Sequence, residues 1–334
     1  RDTLPRGAWL ASLDIKDAYL HIPIAPKMRR YLAFVHKNQL YFYRSLPFGL
    51  TSAPYVFSRI MNFPLSILRR EGIKVIAYLD DWLFWDTDRD ALLRALVRAR
   101  ELLQFLGWVI NWEKSSLTPS QDLTWLGVRW LTLPFRVALP QPLIQRIQVE
   151  VQKILSSQLT TLRNLEQTQG LLNFAAHFLP EGRHFLIPFI RETSRWPRGC
   201  RDTLKEVPTE MKQSLAWWAN PDNLSSQCPL RPPHPTLRMW TDASNQGFGA
   251  YTDKEQSLSG SWTPQLSQLH INVKELLAVV LALRSGIVPD HSTVALGTDN
   301  VATLYAIRNQ GSKSSWEMHT AVSFLLEQCR TRSI

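Results

Sequence analysis

Two adjacent carboxylates, Asp80 and Asp81, stand between two short apolar runs at residues 74–78 and 82–85. Adjacent acids in an apolar hairpin are costly unless a cation neutralises them, and each raises the other's pKa. A bound metal removes both penalties. Asp14 has the same character. It closes the apolar run 10–13 and opens Asp14-Ile15-Lys16-Asp17-Ala18-Tyr19. Carboxylates on two neighbouring strands suit a pair of Mg²⁺ ions, which take oxygen ligands and serve in-line displacement at phosphorus. An acidic turn in solvent is the plainer reading of Asp80-Asp81 taken alone.

Around these acids the hydrophobic period switches between two and three-to-four residues. Residues 9–15 read as a buried strand, and 31–36 with 40–46 as a hairpin around Lys37-Asn38-Gln39. A helix is expected to about Arg70, with Thr51 or Ser52 as N-cap and Pro54 in its first turn. Residues 88–106 read as an amphipathic helix with acids at its start and Gly107 at its end. A short hairpin is expected at 123–131, then helices at 142–157, 161–179 and 202–219. This order describes an α+β sheet with helices on one face, followed by a helical section.

Five prolines within residues 220–235 argue against regular structure and mark a linker. Beyond it come three strands (237–242, 247–252, 258–262), a helix (273–285), a strand (293–298) and a helix from Asn300. That is a compact second domain.

The 334 residues carry 38 Lys+Arg against 28 Asp+Glu. Residues 1–219 hold 29 basic and 19 acidic side chains, so the whole +10 excess lies there and residues 220–334 balance. A basic domain attracts polyanions, nucleic acid foremost. Cys200, Cys228 and Cys329 are too dispersed for a disulfide framework or a cysteine zinc site. They suggest a reducing, intracellular compartment, cytoplasm or nucleus. No apolar run approaches the roughly 18 residues of a membrane span, so no membrane partner is expected. The eight His show no ligand spacing, and His270 and His319 read as surface groups. Trp82, Trp85, Trp125 and Trp130 fall in strands and read as core.

The segments Leu13-Asp14-Ile15-Lys16-Asp17-Ala18-Tyr19, Leu46-Pro47-Phe48-Gly49-Leu50-Thr51-Ser52-Ala53-Pro54 and Tyr78-Leu79-Asp80-Asp81 resemble, in order and spacing, three polymerase motifs of reverse transcriptases. The likeness continues through Gly107-Trp108-Val109-Ile110-Asn111-Trp112-Glu113-Lys114 and Leu126-Gly127. Among these enzymes it looks most like DIRS-type retrotransposons, with gypsy-type and retroviral enzymes more distant. The resemblance implies that Asp14 and Asp80 are metal ligands, with Asp81 the supporting acid of the same metal site. It implies that Tyr19 is a steric gate under the sugar, that Phe48 and Gly49 flank the incoming nucleotide, and that Lys114 faces the leaving pyrophosphate. Trp125, Leu126 and Gly127 take the place of the primer grip. Without a Cβ, Gly49 lets backbone approach a ligand closely. Taken alone, Tyr19 reads as a core aromatic, and Lys114 is equally a solvated surface lysine.

In the second domain Asp242 ends a strand, Glu275 lies in the first turn of the 273–285 helix, and Asp299 follows a strand. Singly they are a strand-end turn residue, a helix N-terminal acid and an N-cap. Together, Thr241-Asp242-Ala243-Ser244 with Gly247 and Gly249, Glu275-Leu276, and Gly297-Thr298-Asp299-Asn300 resemble an RNase H domain. The family implies cleavage of the RNA strand of an RNA–DNA hybrid with two metals.

The expected architecture is therefore a reverse-transcriptase palm (1–135, fingers largely missing), a helical thumb or connection (136–219), the linker (220–235) and an α/β RNase H-like domain (236–334) lacking its last strand and fourth acid. The implied cofactor is Mg²⁺, two per site, with Mn²⁺ as a substitute. The implied partners are RNA template, DNA primer, dNTPs and RNA–DNA hybrid. A different class of function is a truncated remnant that binds nucleic acid without chemistry. The intact acids favour the enzyme.

Overall fold

The strand expected at 9–15 forms β1 (Trp9–Asp14), and its alternation sets the frame of the first unit. In the computed structural model, which describes residues 3–196, 199 and 201–334, the chain divides into units of residues 1–137 and 138–334. After β1 come two 3₁₀ turns (Ala18–His21 and Pro26–Tyr31), then the hairpin β2 (Ala33–His36) and β3 (Gln39–Phe42). Helix α1 (Ala53–Arg70), β4 (Val75–Tyr78), β5 (Asp81–Asp86), α2 (Arg89–Phe105), β6 (Ser116–Ser120), β7 (Asp122–Trp125), β8 (Val128–Leu131) and β9 (Arg136–Ala138) follow.

The main sheet runs β4-β5-β1-β6, with antiparallel neighbours. Side chains alternate between its faces. Ala11 and Leu13 of β1 join Trp82 and Phe84 of β5 in one core with α1 and α2, which supply Phe57, Met61, Leu65, Leu92, Leu96 and Leu103. Both helices thus cover one face, as the α+β reading expects. Asp14 and Asp81 belong to the alternate set, on the other face. Asp88 caps α2 by accepting from Asp90 N at 2.8 Å and Ala91 N at 3.4 Å, and Gly107 ends it at φ +83°. Ser52 is the N-cap of α1, but its side chain makes no capping bond.

The second unit begins with α3 (Gln141–Ser156), β10 (Leu159–Thr160), α4 (Leu162–Ala175), α5 (Gly182–Ser194), β11 (Lys205–Glu206) and α6 (Thr209–Ala219). Helix α5 was not expected, because Pro188 interrupts its pattern; α6 begins at Thr209 rather than 202. The proline-rich segment is not devoid of structure. It holds α7 (Pro221–Leu224), where Asn220 accepts from Asp222 N at 3.0 Å and Pro221 fills the first turn, and the short strand β12 (Cys228–Pro229). Leu224 and Leu230 are buried, so the segment is packed rather than a loose tether.

The last hundred residues form β13 (Leu237–Ala243), β14 (Gly247–Thr252), β15 (Ser257–Ser261), α8 (Pro264–Ser267), α9 (Ile271–Arg284), β16 (Val294–Gly297), α10 (Val301–Arg308) and α11 (Trp316–Arg332). The sheet order is β15-β14-β13-β16, antiparallel except for the parallel β13–β16 pair. Gly297 lies under Trp240, and a Cβ there would come within 2.4 Å of the indole.

His319 is not a surface group. It is 3% exposed on α11 and stacks on His184 of α5, with ring centroids 4.4 Å apart. Burial, helped by His184 and Arg191, pushes it down to about 4. His270 caps α9 through its ring, accepting from Asn272 N at 3.2 Å. Trp82 is core, whereas Trp85, Trp125 and Trp130 are half-buried. Cys329 is a free thiol; Cys200 lies outside the described residues. Among the described residues, no helix is long and apolar enough to cross a membrane.

Candidate active sites

The register of two strands puts the first acids side by side. Asp14 of β1 is the Cα partner of Asp81 of β5, and Asp80 precedes Asp81 in the two-residue turn that joins β4 to β5. Leu79, the other turn residue, sits at φ +53°, a region that costs a non-glycine residue about 1–2 kcal/mol. The turn is pinned by Ile15 N donating to Asp80 O at 3.1 Å.

Asp14 is 8% exposed, and burial followed by the Asp80 charge raises its pKa. Burial, then Asp80 and Asp14, pushes Asp81 up to about 6, and Asp81 is the one that donates a hydrogen bond to Asp14. Lys114, exposed on the loop after β1's neighbour Ile110, lowers both acids from nearby. An oxygen-only acid group that holds back protons for want of positive charge fits a hard divalent cation.

Two residues that the sequence did not single out complete this site. Asn111 bonds the Asp14 carboxylate with its side chain, and its backbone N donates to Asp14 O at 2.9 Å. Ser115 Oγ accepts from Asp14 N at 3.0 Å and donates to Asn111 O at 2.6 Å. The signal for Asn111 lay inside the 107–114 run. Ser115 had none, since a hydroxyl folding back on a loop leaves no pattern.

Tyr19 lies between Phe48 and Phe57, with centroids at 5.0 and 5.4 Å. Phe57 is fully buried and Phe48 is 64% exposed, so Tyr19 bridges core and solvent. Burial, then the charge of Asp80, raises the Tyr19 hydroxyl pKa, which locates the ring beside the acids. Gly49 has open space where a Cβ would stand; what demands glycine there is φ +87°, not close approach. Leu126 and Gly127, at φ +51° and +73°, make the turn between β7 and β8, with Trp125 and Trp130 packed at 6.3 Å beside it.

The second acid set comes from three elements. Asp242 stands near the end of β13, opposite Gly249 of β14, and Asp299 follows β16. Glu275 is the fifth residue of α9 rather than in its first turn, because the helix begins at Ile271. Ligand atoms of the three lie within 4.8 Å of one another, a grouping that Asp14, Asp80 and Asp81 do not match among the described residues. Asp299 is not the cap of α10: Asn300 is, accepting from Thr303 N at 2.9 Å while its amide donates to Asn272 Oδ1 at 3.0 Å. That bond ties the starts of α9 and α10 together. Glu275 is 5% exposed and its Oε2 has no hydrogen-bond partner. Burial, then Asp242 and Asp299, raises its pKa. An orphaned buried carboxylate oxygen facing two more acids fits a divalent cation. A cavity of about 650 Å³ lined by Trp240, Tyr251, Asp242 and Asp299 opens beside it.

Residues 2–130 match the model of the reverse transcriptase (RNA-dependent DNA polymerase) family. A polyprotein of Cassava vein mosaic virus is 24% identical over 96% of this chain and 49% of its own length. Protein P of Duck hepatitis B virus (isolate brown Shanghai duck S5) is 30% identical over 38% of this chain and 16% of its own. The Gag-Pol polyprotein of Walleye dermal sarcoma virus is 26% identical over 63% of this chain and 12% of its own. The chain thus spans half or less of the length of these relatives. The foamy viral protease–reverse transcriptase solved with an RNA/DNA hybrid superposes with a TM-score of 0.60 at 20% identity, over 96% of this chain and 43% of that one. Sequence and fold agree on the first unit: residues 2–130 match the reverse transcriptase family model, in a chain similar to retroviral and pararetroviral polyproteins.

Proposed function

We propose that this chain is an RNA-directed DNA polymerase joined to an RNase H domain, copying an RNA template from a DNA primer and cutting the RNA of the resulting hybrid. The observation that carries the polymerase half is the Asp14–Asp81 register with Asp80 in the adjoining turn, beside the Tyr19–Phe48 ring pair. Asp14, Asp80 and Asp81 would hold Mg²⁺, with Mn²⁺ as a substitute. When bound, such ions activate the attacking oxygen and neutralise charge at phosphorus. The chain's own residues do the positioning. Asn111 and Ser115 fix Asp14, Tyr19 presents a ring where a ribose 2′-hydroxyl would need room, and Phe48 and Gly49 flank the dNTP. Lys114 supplies a cation for the leaving pyrophosphate. Trp125, Leu126 and Gly127 would hold the primer end.

The nuclease half rests on the gathering of Asp242, Glu275 and Asp299 and on the orphaned Glu275 oxygen. These acids would bind the same kind of ion at a second site. The domain division follows the sequence reading: palm over 1–135, helical thumb or connection over 136–219, a linker over 220–235 and an RNase H-like domain over 236–334. Within retroelements, DIRS-type elements remain the reading that the motifs favour. The test is primer extension on an RNA template and cleavage of a labelled hybrid by the same preparation. Polymerisation that survives Asp80→Asn, or cleavage that survives Asp242→Asn, would remove the corresponding half.

A further inference from the structure

Helix α5 and the turn between α10 and α11 are joined by hydrogen bonds as well as by packing. His184 N donates to Gln310 Oε1 at 3.4 Å, and the His184 ring meets Gln310 O through Nδ1 at 3.0 Å. The Gln310 amide donates to Pro180 O, and Arg183 Nη1 to Arg308 O at 3.4 Å. Beside these bonds the buried rings of His184 and His319 stack 4.4 Å apart, inclined by only 15°. The fit is close. Gly311 turns the chain at φ +146°, where a Cβ would come within 2.7 Å of Ile187 Cδ1 and nearer still to His319 Nδ1.

The partners of the two rings fix their protonation. A carbonyl oxygen only accepts, so His184 Nδ1 carries the proton and Nε2 is left to accept from Ser323 Oγ at 3.1 Å. The other acceptor open to that hydroxyl, His319 O, is farther away at 3.3 Å. His319 Nδ1 is buried and has no hydrogen-bond partner among the described residues. The stack is therefore assembled from two neutral rings, and an imidazolium on either side would be a buried charge.

The surroundings do not offset such a charge. Arg191 of α5 lies over the Trp316 ring at 4.9 Å, and Trp316 packs on His319 at 4.9 Å, so the nearest fixed charge is positive. The acids of the neighbouring elements are engaged elsewhere. Glu181 pairs with Arg330 at 3.5 Å, Glu192 with Arg195 at 2.7 Å, and Glu317 accepts from Ser315 Oγ at 3.0 Å. On α9, which packs on α11, Glu275 answers to Asp242 and Asp299, Lys274 donates to Asn245 Oδ1 at 3.4 Å, and His270 caps its own helix. On α4 and α6, which pack on α5, Glu166 pairs with Arg201, Arg163 with Asp202 at 2.9 Å, and Glu210 is exposed. Exposed Arg308 and Lys313 add only more positive charge near the turn.

We propose that the His184–His319 stack is a proton-operated clasp between α5 of the helical section and the α10–α11 turn, closed while both rings are neutral and opened when either becomes an imidazolium. Burial lowers both rings from the ordinary range, His319 to about 4. An opened ring takes its proton at about 6.5, so the clasp is at full strength above that pH and weakens as pH falls toward 4. Its reach follows from α10, whose other end is capped by Asn300, directly after Asp299. Opening releases the far end of the helix that sets this acid's position. That consequence alone rests on the nuclease reading; the clasp itself does not.

Hydrogen exchange of the full chain in EDTA, read by mass spectrometry at about pH 7.5 and about pH 5 and corrected for intrinsic rates, tests the joint directly. At the lower pH, protection should fall about tenfold or more in peptides from 182–190 and 309–323. In α3 and in β13–β14 it should change less than about twofold. His319→Phe keeps a ring in the stack that cannot be charged, and it should remove most of the fall. A fall of unchanged size in His319→Phe would overturn the clasp. So would equal losses in α3 and β13–β14, because the whole unit would then be unfolding. If the variant does not fold, the native chain decides alone. With its histidine rings labelled for NMR, two of the eight should titrate below the rest, in step with the lost protection. Protection lost while all the low-titrating rings stay neutral would also overturn it. Since no metal or hybrid is present, a dead nuclease site leaves the exchange unchanged, and a clasp that never opens leaves hybrid cleavage to be judged separately.

Discussion

The two acid sets are built differently. In the first unit two carboxylates oppose each other by strand register, the third lies in the turn between strands, and burial with the neighbouring charges raises the pKa of both Asp14 and Asp81. In the second unit three carboxylates arrive from separate elements, gather within 4.8 Å, and leave one buried oxygen unpartnered. The first is a local device: a hairpin and its neighbour suffice to form it. The second exists only when β13, β16 and α9 have all docked. The contrast teaches that equal numbers of acids need not respond alike to substitution, acid or metal.

The sharpest way to break the comparison is to remove one acid from each set. Asp80→Asn should lower primer extension at least about 10³-fold and leave hybrid cleavage within about twofold; Asp242→Asn should do the reverse. Parallel measurements on one preparation decide it. If both activities fell with either substitution, the two sets would not be independent sites.

A smaller effect separates the units by acid. His319 holds its pKa at about 4 against the ordinary 6.5, because burial disfavours the charged ring and His184 and Arg191 stand close. As pH falls the unfolded chain takes this proton first, so stability is full above about 6.5 and is lost on the way down to about 4. The loss should be about 2 kcal/mol, allowing for screening. Thermal melts across that window should show it, and His319→Gln should flatten the dependence. Asp81 runs the other way. Its pKa of about 6 exceeds the ordinary 3.8, so without metal the fold is favoured at low pH and loses that contribution as pH rises through about 6. Asp81→Asn in EDTA should therefore raise stability at pH 7 by about 1 kcal/mol, with added Mg²⁺ stabilising the variant less than the native chain.

How much of this was legible in the sequence follows the same division. Asp14, Asp80 and Asp81 were readable because strand ends and a two-residue turn are local features, and the alternation of β1 and β5 fixed which face they share. Asn111 and Ser115 were not readable as partners, since they meet Asp14 through a loop about a hundred residues away. Helix α5 was hidden by Pro188, which its helix tolerates inside the packed bundle with Leu186 and Phe189 buried on either side. His319 read as a surface group because its burial is created by His184 from another helix, and no pattern around residue 319 reports that. The hairpin at 31–46 was readable as a hairpin, but not the exposure of both its faces. Burial of a strand depends on what docks against it, and its own alternation carries no record of the partner.

The smallest expected effect concerns the turn offered as the primer grip. Leu126 and Gly127 both adopt positive φ, and a two-residue turn of this kind prefers Asn-Gly. Leu126 is 37% exposed and belongs to none of the hydrophobic clusters, so its side chain contributes little packing against the cost of its backbone. Leu79 offers no equal test, because it packs partly on the core around α1 and α2. Leu126→Asn should therefore stabilise the chain by about 0.5 kcal/mol, read as a higher denaturation midpoint at constant slope. If leucine is kept there to press against a primer, the same variant should bind primer–template more weakly. Stability that falls would show that Leu126 packs more than its exposure suggests. Stability that rises with primer–template affinity intact would leave the turn as an ordinary hairpin and place the grip elsewhere.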